Sequence, residues 1–186
     1  MKILYDYQIF ELQKTGGISK YHANLHSGLL NHGIHSQIGL LHANNLHLKG
    51  IGIDSMRTFT KYDCFLRGVN FKGKGFMLKN LERLGLKFTD SHEINANYSR
   101  ALLSQKVCDI FHPTYYHDMY KDITFSCPIV LTIHDMIYES YPIFFPSIQI
   151  IQNKKEWAKK SQKIIAISEY TKTEILRYYR FIKEED

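Results

Sequence analysis

Pro128-Ile129-Val130-Leu131-Thr132-Ile133 is a continuous β-prone run, the clearest strand signal in the chain. A strand of this kind belongs in a sheet buried on both faces, and parallel sheets covered by helices are such sheets. The rest of the chain must therefore supply neighbouring strands and helices to cover them. Short apolar runs recur at residues 2–5, at Gln37–Leu41, at Val107–Phe111 and at Lys163–Ile167. Between them lie segments of helical periodicity. Residues 17–31 carry Ile18, Tyr21, Leu25 and Leu29 on one face and stop at Gly33. Residues 76–86 and 92–105 read as two more helices, and Pro146 opens another that runs to about Ser161. Thr171 and Glu174 have capping-box spacing for a last one. Residues 6–14 read as a loop, residues 43–60 as an irregular connection and residues 61–75 as a glycine-containing loop. The alternation predicts an α/β fold: a Rossmann-like, doubly wound, mostly parallel sheet with helices on both faces, built as one domain over residues 1–186.

The 186 residues are 44% hydrophobic and 13% aromatic, which suits a globular core and argues against disorder. No apolar run approaches the ~18 residues of a membrane helix. Asp6 interrupts any leader-like stretch at once. Cys64, Cys108 and Cys127 form no CxxC pair and read as reduced thiols, so a cytoplasmic location is expected.

In such sheets ligands sit beyond the C-terminal ends of the strands. That rule gathers Gly16-Gly17, His112-Pro113-Thr114-Tyr115-Tyr116, His134-Asp135-Met136 and Ser168-Glu169 onto one rim. Gly16-Gly17 opens the first long helix, where partnerless amides and the helix dipole favour an anion such as phosphate. Paired glycines also serve simply as a tight turn.

Charge is uneven. Residues 61–88 carry seven Lys or Arg against two acidic residues, and residues 152–183 carry nine against three, while the whole chain is only +6. Two basic segments on a mildly acidic body suit phosphates or an acidic lipid surface. No zinc-finger spacing, RNA-recognition signature or basic zipper is present, so nucleic acid is not an expected partner. Residues 76–86 set Met77, Leu81 and Leu84 on one side and Lys79 and Arg83 on the other. Peripheral contact with the inner face of a membrane is one reading of that pattern. Packing of the stripe on the domain's own sheet is the commoner outcome and the expectation.

Four segments in order carry a resemblance. They are Gly16-Gly17-Ile18-Ser19-Lys20-Tyr21, Phe111-His112-Pro113-Thr114-Tyr115, Val130-Leu131-Thr132-Ile133-His134-Asp135-Met136 and Ile165-Ala166-Ile167-Ser168-Glu169-Tyr170-Thr171-Lys172. Together they resemble the N-terminal, acceptor-side domain of a GT-B glycosyltransferase of family 4, over residues 2 to about 180. The resemblance implies one half of a GT-B fold, with the C-terminal donor-binding domain absent from this chain. It implies a retaining transfer of sugar from a nucleotide-sugar donor to a glycan or lipid-linked acceptor, in cell-surface polysaccharide synthesis. Gly16 and Gly17 would face the donor diphosphate or the acceptor. His134 would stand beside the transferred sugar and stabilise charge as the bond to phosphate breaks. Asp135 would orient His134 or cap the following turn, with capping preferred. Tyr115 and Tyr116 would stack on an acceptor sugar or simply pack. Ser168 and Glu169 would lie at the interdomain cleft or start a helix. No carboxylate is assigned as nucleophile.

The GxGxxG fingerprint of nicotinamide enzymes is missing. No Asp-x-Asp occurs, and no metal or other cofactor is expected. His22 and His26 stand one helical turn apart without an evident third ligand and read as a solvated or cleft-facing pair. Two function classes stay open: a transferase incomplete as this chain, and a non-catalytic acceptor-binding module or partner subunit of a split enzyme, with a C-terminal donor-binding half as partner.

Overall fold

The computed structural model describes residues 1–120 and 122–184. Strand β1 (Lys2–Tyr5) lies in the middle of a three-stranded parallel sheet, with β2 (His35–Ile38) on one side and β3 (Ile110–His112) on the other. Strands β4 (Val130–Ile133) and β5 (Lys163–Ala166) form a second parallel ladder. One parallel bridge, Phe111 to Ile129, joins the two, and Phe111 N–H donates to the Pro128 carbonyl at 3.0 Å. Proline hems in both strands at this seam. Pro113 follows β3 directly and Pro128 stands before β4, and neither has an N–H to extend the ladder. The fold is therefore α/β with parallel sheets, as the alternation predicts.

Side chains alternate across β1 as a strand requires. Ile3 and Tyr5 join a cluster with Ala23 and Ile38, while Leu4 joins another with Leu102, Phe111, Leu131 and Trp157. Leu131, Thr132 and Ile133 are all buried, which meets the expectation of a strand covered on both faces. Cys108 and Cys127 are free thiols with Sγ atoms 3.4 Å apart, and burial raises the Cys108 thiol to about 12.

Helix α2 (Gly17–Asn31) follows the prediction, and α6 (Ser91–Ser104) and α8 (Ile148–Lys160) lie within two residues of theirs. Other segments differ. The loop after β1 contains a short helix, α1 (Gln8–Leu12), whose start is held by Asp6 and whose Ile9 and Phe10 are buried. Strand β2 lies two to three residues earlier than predicted. It is an edge strand that exposes His35, while its apolar tail turns onto the rim. Gly39 makes that turn possible, since a Cβ there would stand 2.6 Å from Ser99 Oγ and 3.3 Å from the Tyr5 carbonyl. Short helices α3 (Leu46–Gly50), α4 (Lys61–Cys64) and α7 (Ile137–Ser140) occupy segments with little periodicity. Helix α9 (Glu169–Tyr178) is capped by Ser168, whose Oγ accepts from Thr171 N–H at 3.1 Å. Thr171 is thus inside the first turn and is not the cap.

Helix α5 (Lys74–Arg83) overturns an expectation. Its buried residues are Lys74 and Leu78, while Met77 and Leu84 of the expected core stripe face solvent. Among the described residues no helix is long and apolar enough to cross a membrane.

One buried ion pair ties the helices that follow β4 together. Lys154 Nζ donates to Glu139 Oε2 at 2.9 Å, with side chains 1% and 4% exposed. It also donates to the Asp135 carbonyl at 3.0 Å, and Tyr179 Oη donates to Glu139 Oε1 at 2.7 Å. Removing one charge would leave the other buried and uncompensated. Glu139→Ala is expected to cost about 3–5 kcal/mol in urea unfolding, and Glu139→Leu with Lys154→Met to recover most of it. Equal losses in the single and double variants would contradict this.

Candidate functional site

All strands run parallel, so their C-terminal ends share one rim. β4 delivers His134 to it. The His134 carbonyl accepts from Thr171 Oγ1 at 3.4 Å, and the next carbonyl is held by Lys154. Asp135 Oδ1 accepts from Ile137 N–H at 3.1 Å, the turn-capping role preferred from the sequence. Helices α8 and α9 and the loop itself therefore all fix this turn.

His134 and Asp135 line an open groove of about 520 Å³ with Gly17, Ile18, Tyr21, Ile165 and Ile167. Helix α2 begins at its edge. The Ser19 N–H is taken by Gln13 Oε1 at 3.0 Å, and the Gly16 N–H points to His47 Nε2 at 3.5 Å. Among the described residues no acceptor meets the N–H of Gly17 or Ile18. A Cβ added at Gly17 would meet nothing within 4 Å, so the space above the first turn is open. At Gly16 it would press on the flexible Gln13 amide.

Beneath the groove lies a floor of neutral histidines. His134 stands edge-on to Tyr21, with centroids 5.1 Å apart, and to His22 at 5.9 Å. His22 meets His112 at 5.3 Å. Thr132 Oγ1 bonds His112 Nε2 at 2.9 Å and the Tyr21 hydroxyl at 3.3 Å. Burial, helped by His112 and His134, depresses His22 to about 2. Burial and His134 depress His112 to about 4. Burial also lowers His134, with Asp135 opposing. His22 Nδ1 and His134 Nε2 have no protein partner, a condition buried nitrogens rarely keep. The expectation of a solvated or cleft-facing His22–His26 pair is corrected, and neither residue lines the groove. Both are buried, because α2 turns this face onto Tyr5, and His26 Nδ1 bonds Ser36 Oγ at 2.7 Å.

The remaining expected residues lie elsewhere on the rim. Tyr115 lies tilted against Tyr116 at 5.0 Å and lines a second depression of about 460 Å³ with Ile9, Leu12 and Ile150, while Tyr116 itself is buried as a packed aromatic. Ile18 forms a wall of both depressions. Ser168 and Glu169 start α9 and border a third depression, apart from the His134 groove. Tyr21, Ile165 and Ile167 also line the groove; they stand in the segments that carry the resemblance, but nothing in their local pattern assigns them a role there. Chemically the groove offers two partnerless amides at a helix start, an imidazole and an engaged carboxylate, with no cation among its lining residues. It can receive a phosphate-bearing or hydroxylated group but holds no activated nucleophile. Comparison with protein-family models, curated proteins and solved structures finds no match for this chain.

The histidine floor makes stability depend on pH. Unfolded histidines take a proton near 6.5, while folded His22 and His112 resist down to about 2 and about 4. Above 6.5 their contribution is complete, and it is lost as pH falls, by about 1.4 kcal/mol per unit for each. Asp6 opposes with one proton: burial raises it to about 6, so the folded state gains as pH falls from there towards 3.8. These three groups give a net destabilisation of roughly one proton between about pH 6 and 4.5, and the lowered His134 and His26 add in the same direction. His22→Phe should flatten that slope in urea unfolding, and an unchanged slope would refute the neutral floor.

Proposed function

We propose that this chain is the acceptor-side half of a retaining, family 4-like GT-B glycosyltransferase. It moves sugar from a nucleotide-sugar donor to a glycan or lipid-linked acceptor in cell-surface polysaccharide synthesis. The observation that carries the proposal is one shared groove: Gly17 and Ile18, whose N–H groups are partnerless at the start of α2, and the His134 side chain line the same open space. In this reading the strands form a single row, β2-β1-β3-β4-β5, through the Phe111–Ile129 bridge, as a doubly wound sheet whose rim is the ligand edge.

The roles follow from the chemistry. The helix start beside Gly16 and Gly17 receives the donor diphosphate or an acceptor anion through backbone N–H groups. His134 hydrogen-bonds and stabilises the departing phosphate. Its neutral state suits hydrogen bonding without a fixed charge. Tyr115, across Ile18, lines the depression for the acceptor sugar. Asp135 holds the turn, and Ser168 and Glu169 hold the start of α9. A second domain supplies the opposing wall that grips the nucleotide, since the groove has no cation of its own. A cytoplasmic location belongs to the same proposal, on the cysteine pattern.

The chain is expected to unfold cooperatively and to show no transfer alone with a panel of nucleotide sugars and acceptors. Activity is expected once a C-terminal half is added in trans. Robust turnover by the chain alone would refute the half-enzyme reading. Acceptor binding with no turnover in either condition would favour a non-catalytic acceptor-binding subunit.

In the complete enzyme, His134→Ala is expected to lower kcat by ~10²-fold or more, the scale of one lost transition-state donor. Gly17→Val should leave the melting temperature within about 2 °C, since no atom lies near the added side chain, yet weaken donor binding by roughly tenfold. Normal kinetics in both variants would remove the groove from the mechanism.

A further inference from the structure

Residues 61–87 form an arm that keeps its own small core and turns the rest outward. Its neck is closed by Ser91, whose Oγ bonds the Phe59 N–H and carbonyl at 2.6 Å each. Thr60 and Asp63 cap α4 reciprocally. Lys61 pairs with Glu82 at 3.1 Å, linking α4 to α5. Phe65 packs edge-on against Phe88, and the Lys74 ammonium sits 4.5 Å from the Tyr62 ring centroid and 3.4 Å from the Leu66 carbonyl. α5 therefore has a defined inner side, formed by Lys74, Leu78 and the half-buried Leu81.

The outer side is both apolar and cationic. Phe76 is 72% exposed and Leu84 79%, with Met77, Phe71, Val69 and Leu86 also exposed. At roughly 100° per residue, Phe76, Leu84 and Met77 fall in one outer sector, and Lys79 and Arg83 fall directly beside it. Among the described residues none of Arg67, Lys72, Lys79, Arg83 or Lys87 has an acidic partner. Residues 61–88 carry seven basic against two acidic side chains.

We propose that this arm docks on an anionic lipid bilayer, with the outer face of α5 lying in the plane of the interface. The Phe76, Met77 and Leu84 side chains enter the acyl boundary, and Lys79 and Arg83 extend to the lipid phosphates. Charge decides between occupants. A second copy of the arm would set two strongly positive surfaces against each other, whereas an anionic leaflet attracts juxtaposed Lys and Arg. Another large apolar exposure, Ile143 and Phe144 between α7 and α8 with Ile148 at the start of α8, has no Lys or Arg from residues 137 to 153 and lacks this second argument. Just past the arm's neck, His92 bonds Glu11 of α1 at 2.8 Å, beside the depression lined by Leu12 and Tyr115. Bilayer binding by the arm does not require that the chain transfers sugar.

Vesicle flotation of the whole chain tests this. The chain is expected to float with phosphatidylcholine vesicles containing about a third phosphatidylglycerol, not with pure phosphatidylcholine, and to be released in about 0.5 M salt. Lys79→Glu with Arg83→Glu, and separately Phe76→Ser with Leu84→Ser, should each lower vesicle partitioning by roughly tenfold or more. All four positions are exposed, so melting temperatures should be unchanged. No flotation with anionic vesicles, or flotation that both variants retain, would overturn the proposal. A dimer in sedimentation that is abolished by Phe76→Ser with Leu84→Ser, without flotation of the parent chain, would overturn it in favour of self-association.

Discussion

Asp6 has no exposed surface, and a carboxyl group so placed must be surrounded by donors or cost several kcal/mol. Its donors come from two distant segments. Gln8 supplies its backbone and side-chain N–H groups, and Thr114 supplies its backbone N–H and its hydroxyl. The Thr114 hydroxyl then accepts from the Ile9 N–H at 3.1 Å, and Gln8 Oε1 accepts from His117 N–H at 2.8 Å. The exit of β1, helix α1 and the segment after β3 are thereby one hydrogen-bonded unit. Both depressions of the rim lean on it. Ile9, Leu12 and Tyr115 line one, and the Gly16-Gly17 turn that borders the other follows α1 directly.

The groove beside His134 is built on the opposite principle. Its floor is polar by composition but carries no charge, because burial keeps His22 and His112 neutral. Thr132, the one polar residue in a buried strand, is satisfied from two elements at once, β3 and α2. Low charge and partial desolvation strengthen whatever hydrogen bond His134 makes with a ligand. They also leave the dipole at the start of α2 as the groove's positive feature, which is modest by itself.

Much of this was legible in the sequence where one local rule dominates. The buried run at Leu131–Ile133, the periodicity of α2 and the polar residues after each strand all depend on short-range patterning. So did the turn-capping role of Asp135. What escaped depends on distant partners. The edge position of β2 allowed polar His35 and Ser36 into a strand that apolarity alone placed later. The sequence offers both Ser168 and Thr171 as the start of the last helix, and the choice falls to Ser168 because Thr171 is drawn inward to the His134 carbonyl. The burial of His22 requires knowing that its helix face meets Tyr5 and His112, residues 17 and 90 positions away. The α5 segment is amphipathic as its pattern implies, but Met77 and Leu84 face solvent and only Leu81 of that stripe turns inward, since periodicity does not say which face meets the body.

The central position of β1 bears on how the chain comes off the ribosome. Its first neighbour, β2, ends at Ile38, but the strand for its other edge begins only at Ile110. Synthesis at ~5–20 residues per second leaves that edge waiting for several seconds with its ladder groups unpaired. Asp6 waits equally long for Thr114. An open strand edge invites pairing with another nascent chain. In those seconds α1 and α2 can already cover the Ile3–Tyr5 face, so the hazard is confined to one row of backbone groups. The arm at residues 61–87 and helix α6 are both made within this interval, so the slow step in maturation is the closing of a contact more than a hundred residues long.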